Sequence, residues 1–325
     1  MTQPLSTASP AQAVPAISAR ALGYRYADAA APALEDVSFT VPAAEIFGLL
    51  GPNGAGKSTL LGLLSGSLDA QDGEITIAGE KLTKRTRHIK SLSAVVPQEY
   101  AFYESLTGRQ NLDYFGSIFG LSRAERAARC ERAIEICRLE QHLNRRAGQY
   151  SGGLKRRLNL AIGLLNAPKI LYLDEPTVGI DAESRRFIMD AVLGLKALGT
   201  TIVYTSHYME EVEELCDSVA VIDQGRLVLQ ERMGNLLRRE GGQSLQFTLH
   251  EPDASLAALL APFGATHVDY RTWTVIVPSA RMPEVLSLLQ RHGATFDRLQ
   301  YGVSRLEKIY LDLLLRGAPQ PEALA

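Results

Sequence analysis

Between Phe47 and Gly66 the chain reads FGLLGPNGAGKSTLLGLLSG, an apolar run, a glycine-bearing bend and a second apolar run. Gly51 to Ser58 fits the pattern G-x-x-x-x-G-K-[ST]. Small residues in such a bend let backbone N–H groups converge on phosphate oxygens with no Cβ in the way. A helix that starts at the lysine adds the positive end of its dipole. The ammonium of Lys57 reaches β- and γ-phosphates as a point charge, and the Ser58 hydroxyl suits Mg²⁺, with Thr59 behind it. A plain turn with a helix cap is the competing account, but a buried strand before the bend and a helix after it are the context a phosphate loop requires. Gly51, Pro52, Asn53, Gly54, Ala55, Gly56, Lys57, Ser58 and Thr59 are therefore expected to hold a nucleoside triphosphate.

Around that loop, apolar strands alternate with helices. EIFGLL, SAVV, KILYLDEP and TIVYTSH read as strands; SGGLKRRLNLAIGLL, AESRRFIMDAVLGLKALG and YMEEVEELC read as helices. This order predicts an α/β fold with a mainly parallel central sheet covered on both faces. ISARALGYRY and LEDVSFTV alternate in the manner of an antiparallel layer, and SVAVIDQGRLVLQ reads as a hairpin around Gly225. Residues 107–146 turn helical, with LSRAERAARCERAIEIC the clearest amphipathic run. A break at REGGQS, residues 239–244, divides residues 17–240 from 241–325. Beyond it the order strand, helix, strand, strand, helix, strand predicts a small α+β domain of split βαβ, ferredoxin-like type, followed by a last helix, SRLEKIYLDLLL. Residues 1–16, rich in Ala, Pro, Ser and Thr, read as a flexible tail and lack the basic start and apolar core of a signal peptide.

A phosphate loop needs carboxylates on a neighbouring strand, and ILYLDEP provides them. Successive strand residues point to opposite sides, so Asp174 and Glu175 should not share one task. Asp174 suits the metal shell, and Glu175 suits polarising an attacking water. YSGGLKRRL, from Tyr150, adds a second anion-binding helix start at Ser151, Gly152 and Gly153. One triphosphate already has its cradle, so this start makes sense if it caps the γ-phosphate of a nucleotide held by another copy.

With these motifs in this order, residues 17–235 resemble the ATP-binding cassette (ABC) ATPases, in particular nucleotide-binding subunits of bacterial exporters whose permease is a separate chain. The resemblance implies an ATPase domain over residues 17–240, with a helical subdomain at about 107–166. It implies that Tyr26 stacks on adenine, that Gln98 touches Mg²⁺ and senses the membrane subunit, and that Asp181 in TVGIDAE belongs to a loop crossing the dimer interface. It also implies that Asp174 is the metal-site aspartate, Glu175 the catalytic glutamate and His207 the switch histidine on the γ-phosphate. Asp181 can equally N-cap the following helix. The cofactors implied are ATP and Mg²⁺; the partners are a second copy and a membrane permease, on the cytoplasmic face of the inner membrane. Two departures stand out: Tyr150 replaces the family's Leu and Leu154 its Gln. Lineage variation is one account and a weakened ATPase the other.

Composition narrows the alternatives. Net charge is −2 over 325 residues, so global charge makes no case for nucleic acid. Lys84 to Lys90 is basic and reads as a solvated face. Cys130, Cys137 and Cys216 lack metal spacing and read as small buried apolar residues. No run reaches the roughly 18 clean apolar residues of a membrane span. A soluble translation-type protein would carry two cassettes and a DNA-repair ATPase a long coiled coil, neither of which is read here. An importer subunit stays open, but the terminal LEKIYLDLL resembles an extension of exporter subunits. The segment Glu99 to Leu106 is the candidate permease contact.

Overall fold

The computed structural model of the protein describes residues 14–239, 243–267, 269–301, 306–307 and 309–310. Residues 1–13 of the expected tail, residues 240–242 of the expected break and most of the expected last helix lie outside the described residues. The described residues within 1–207 and 220–230 form one compact unit, and those within 208–219 and 231–325 form a second.

The first elements are β1 (Ile17–Tyr24), β2 (Leu34–Val41), β3 (Ile46–Leu50), α1 (Lys57–Leu64), β4 (Asp72–Ile77), β5 (Glu80–Lys81), α2 (Arg87–Lys90) and β6 (Ser93–Val96). The helical stretch follows as α3 (Gly108–Ile118), α4 (Arg123–Cys137) and α5 (Gly152–Leu164). Then come β7 (Ile170–Asp174), α6 (Ala182–Ala197), β8 (Thr201–Thr205), α7 (Met209–Leu215), β9 (Ser218–Asp223) and β10 (Arg226–Arg232). Helix starts follow the capping rules: Thr107 with Gln110 and Ser122 with Glu125 form reciprocal capping boxes before α3 and α4.

The central sheet runs β10-β9-β3-β8-β7-β6, and β3, β8, β7 and β6 are parallel. Every residue of β3 and β8 is buried, as a strand covered on both faces demands. Tyr172 of β7 is fully buried, and its hydroxyl donates to the Leu64 carbonyl at 3.1 Å, pinning the end of α1 to the sheet. Because the four strands are parallel, their C-terminal ends at Leu50, Thr205, Asp174 and Val96 open on one edge, where ligands of such sheets bind. An antiparallel layer, β2-β1-β4-β5, completes the unit; Phe39 of β2 stacks on Phe47 of β3 at 5.6 Å. This is the α/β architecture expected, a parallel sheet with an antiparallel layer and a helical stretch.

The second unit holds α8 (Met233–Arg239), β11 (Gln243–Leu249), α9 (Ser255–Leu260), β12 (Thr266–His267), β13 (Thr272–Val277), α10 (Met282–His292) and β14 (Phe296–Tyr301). Its antiparallel sheet runs β12-β13-β11-β14. That is the strand order of a split βαβ arrangement. Alternation does the sorting: Leu245, Phe247 and Leu249 face Leu256, Leu260, Val285 and Leu289 in a core of their own. No helix among the described residues is long and apolar enough to cross a membrane.

Candidate functional site

The phosphate-loop residues bend between β3 and α1 as the spacing requires. Gly54 and Gly56 take left-handed φ of 81° and 106°. At Gly51 a Cβ would stand 2.3 Å from the Ile222 carbonyl oxygen, so this glycine is also needed for close packing. Gly56 starts α1 with no side-chain cap. Lys57 is buried and its Nζ donates to the carbonyls of Gly51 at 2.8 Å and Pro52 at 3.1 Å. Burial lowers its pKa, and the carboxylates of Glu175 and Asp174 oppose that shift. The ammonium and the two acids thus share one field.

Asp174 ends β7. Its Oδ2 lies 3.4 Å from Ser58 Oγ, and its Oδ1 accepts from Thr205 Oγ1 at 2.7 Å. The same Thr205 oxygen accepts from the Glu175 N–H at 2.9 Å. Glu175 stands just past the strand with φ 46°, a left-handed conformation unusual for a non-glycine residue. The two acids take different partners, but because Glu175 lies past the end of β7 in a left-handed turn, that turn and not strand alternation accounts for it. Glu175 Oε2 lies 3.3 Å from Nδ1 of His207, whose ring is 47% exposed while the glutamate is 12% exposed. Thr205, wholly buried, is a residue the sequence reading passed over, because TSH drew attention to its histidine alone.

Tyr26 lies just beyond β1, 45% exposed, with its hydroxyl 3.1 Å from Thr59 Oγ1 and its ring edge-on to Tyr24. Gln98 is exposed two residues past β6, whose Val96 pairs with Leu173 of β7, so it sits at the same sheet edge. Thus the loop from Gly51 to Thr59, Tyr26, Asp174, Glu175 and His207 are brought together, with Gln98 at their edge.

Ser151, Gly152, Gly153 and Asp181 form a second cluster at the starts of α5 and α6. Ser151 N-caps α5 through the Leu154 N–H at 3.3 Å. Asp181 N-caps α6, accepting from the Ser184 N–H and hydroxyl, both at 2.8 Å; these bonds hold its carboxyl below the ordinary carboxylate range. A Cβ at Gly153 would stand 1.9 Å from Ser184 Oγ, whereas one at Gly152 would meet its nearest neighbour, Gly179 O, at 3.5 Å. Tyr150, where the family has Leu, is buried and donates to the His142 carbonyl at 2.6 Å. Gly108 makes room for it: a Cβ there would lie 2.3 Å from the Tyr150 hydroxyl. Burial pushes the Tyr150 pKa up.

Elsewhere the plainer readings fit. Lys84 pairs with Asp69, His88 with Glu80, and Lys90 with the Gly66 carbonyl. All three cysteines are buried and none is in a disulfide, and no metal-holding cluster of His, Cys, Asp or Glu occurs among the described residues.

A lysine-bearing glycine loop facing a strand-end acid pair across a parallel sheet defines a phosphate-loop nucleotide hydrolase. Residues 34–178 match the family model described as ABC transporter. The chain is 36% identical over 289 residues to the linearmycin resistance ATP-binding protein LnrL of Bacillus subtilis, covering 86% of this chain and 93% of that relative. It is 37% identical over 280 residues to the Nod factor export ATP-binding protein I of Sinorhizobium fredii, covering 86% and 81%. Among solved structures, cbiO1 of Clostridium perfringens, part of the ABC transporter complex cbiONQ, superposes with a TM-score of 0.64 at 27% identity, covering 70% of this chain and 92% of that one. The chain belongs to the ABC transporter family as an ATP-binding subunit, an ATPase of the cassette type.

Proposed function

We propose that this chain is the ATP-hydrolysing subunit of an exporter, working as a head-to-tail homodimer on a separate membrane permease at the cytoplasmic face of the inner membrane. Export is supported by the names of the relatives, which concern Nod factor export and linearmycin resistance. The observation that carries the dimer reading is the separation of the site into two clusters. The Ser151–Gly153 helix start packs against the start of α6, where a Cβ on Gly153 would stand 1.9 Å from Ser184 Oγ. It hydrogen-bonds with Leu154 and Tyr100 and not, among the described residues, with the phosphate loop. In the dimer each phosphate loop faces the Ser151–Gly153 start and Asp181 of the other copy.

Within one site, Lys57 and the loop amides compensate phosphate charge, and Tyr26 stacks on adenine. The oxygen donors of Ser58 and Asp174, 3.4 Å apart, fit a hard divalent cation, and Gln98, exposed past the neighbouring strand end, would add an amide oxygen. Mg²⁺ bound there would supply neutralising charge for the triphosphate. Glu175 orients the attacking water, and His207, paired with Glu175, contacts the γ-phosphate. The reaction needs positioning and charge compensation, and no covalent intermediate on the protein.

The permease contact falls on the helical stretch. Tyr103 and Tyr114 meet edge-on at 5.0 Å, both more than two-fifths exposed, and Ile118 and Phe119 extend the exposed apolar surface along α3. Glu99 to Leu106, which includes Tyr103, belongs to this surface and is the candidate contact segment.

Glu175→Gln tests the assignment. The variant should bind MgATP, hydrolyse it about a hundredfold or more slowly and elute as an ATP-stabilised dimer in light-scattering chromatography. Turnover close to wild type would remove Glu175 from the mechanism.

A further inference from the structure

Three consecutive cations, Lys155, Arg156 and Arg157, follow the Ser151–Gly153 start, and of these Arg156 is the buried one. Only 3% of it is exposed. Its Nη1 donates to the carbonyls of Gln98 at 2.8 Å and Pro97 at 3.3 Å, and its Nη2 to the Val178 carbonyl at 3.2 Å. The guanidinium also lies over the Tyr100 ring at 5.1 Å. Among the described residues no carboxylate pairs with it, and its Nε has no hydrogen-bond partner. A buried guanidinium held by carbonyl dipoles and a ring face, with no carboxylate, is a poor device for stability. It is a good device for fixing a backbone, because the planar fork holds several carbonyls in one geometry.

The surrounding contacts point the same way. Asn159, one turn along α5 and 3% exposed, donates to the Pro97 carbonyl at 3.0 Å and accepts from the Ala101 N–H at 3.0 Å. The Tyr100 hydroxyl donates to the Gly152 carbonyl at 3.4 Å. Residues 97–101 are thus strapped to the helix that begins with Ser151–Gly153, and Val178, on the way to Asp181, is tied to the same cation. Gln98 is exposed and carries a long side chain, so its aim depends on the backbone beneath it.

We propose that Arg156 is a positioning residue for Gln98: it locks the Gln98 backbone to α5, so that the glutamine side chain and the Ser151–Gly153 start keep a fixed spacing. The inference rests on the reading of Gln98 as a nucleotide-site residue. Arg156→Lys keeps the charge but removes the fork. In the full-length protein its kcat should fall about ten- to a hundredfold, the cost of a misplaced group, with the KM for ATP moved less than about twofold. Hydrogen exchange in the peptide spanning residues 97–103 should rise, and ATPγS should still bind one per chain. In a Gln98→Ala background Arg156→Lys should cause no further loss of rate, since both changes remove the same contribution. Should Arg156→Lys fail to fold, Asn159→Ala, which frees the same segment from the next turn of α5, takes its place in the same cycle. A slow Gln98→Ala beside a wild-type Arg156→Lys, or additive losses in the double variant, overturns the inference alone. Wild-type turnover in Gln98→Ala overturns both the role of Gln98 and the inference.

Discussion

At Thr205 one hydroxyl serves two acids. Its proton goes to Asp174 Oδ1 at 2.7 Å, and its lone pair receives the Glu175 N–H at 2.9 Å. The left-handed backbone of Glu175 costs roughly 1–3 kcal/mol, and the bond to Thr205 helps to hold it there. Thr205→Val preserves volume and removes both bonds, leaving a partly buried N–H unpaired at about 1–3 kcal/mol. The expected outcome is a kcat lower by about tenfold or more, with ATP affinity little changed. Thr205→Ser should recover most of the rate. Steady-state kinetics of the three proteins, normalised to nucleotide-binding stoichiometry, decides it; a Val variant with wild-type kcat would show that the acids hold themselves.

At the scale of elements, the two glycines that open α5 carry different loads. Gly153 is locked against Ser184, where an added methyl would collide at 1.9 Å. Gly152 has ordinary room, so a side chain there changes the surface and spares the packing. Gly153→Ala should therefore lower the thermal midpoint, through an overpacking cost of about 1–3 kcal/mol. Gly152→Asp should melt like wild type and bind ATP, yet fail to dimerise in a Glu175→Gln background, because a carboxylate would face the triphosphate across the interface. An ATP-bound dimer of that variant would end the trans-capping model. The contrast also marks what a sequence conveys. The glycine loop, Asp174 and the strands β3, β7 and β8 were legible because residue type and apolar run carry the message alone. The element order beyond residue 243 was legible from strand alternation taken with the helical runs around Leu256 and Val285. Ser184 behind Gly153, Gly108 behind Tyr150 and Thr205 behind the acids were not, because each acts on a residue 30 or more positions away. Only the folded sheet and helix pairings make them neighbours.

On the scale of the whole molecule, the two units each own a core: Phe47, Leu60, Tyr172 and Val203 belong to one, Phe247, Trp273, Val275 and Leu289 to the other. Two cores predict two calorimetric transitions, and ligand linkage identifies the first. ATP binds only the unit that carries the phosphate loop, so saturating nucleotide should raise one midpoint, by about 2.7 kcal/mol of added stability at a hundred times Kd, and leave the other in place. The second unit should answer to pH. His250 Nδ1 lies 2.7 Å from Asp297 Oδ1, and this hydrogen bond raises the histidine's pKa above its ordinary value. A raised folded pKa stabilises below the unfolded value, near 6.5, and that contribution is lost as pH rises through the folded one. Asp297 also holds Arg271 at 3.1 Å, so part of the cluster survives when His250 is neutral. Asp253 has the opposite sign: Ser255 and His292 pull its pKa down to about 2, so its contribution is complete above the ordinary carboxylate range and fades as pH falls toward that value. Between about pH 6 and 8 the carboxylates stay ionised, and the raised His250 gives the dependence a downward direction. The nucleotide-insensitive midpoint should therefore fall across that window, and His250→Asn should flatten the dependence. A single transition that moves as one with both ATP and pH would mean that the two cores melt together.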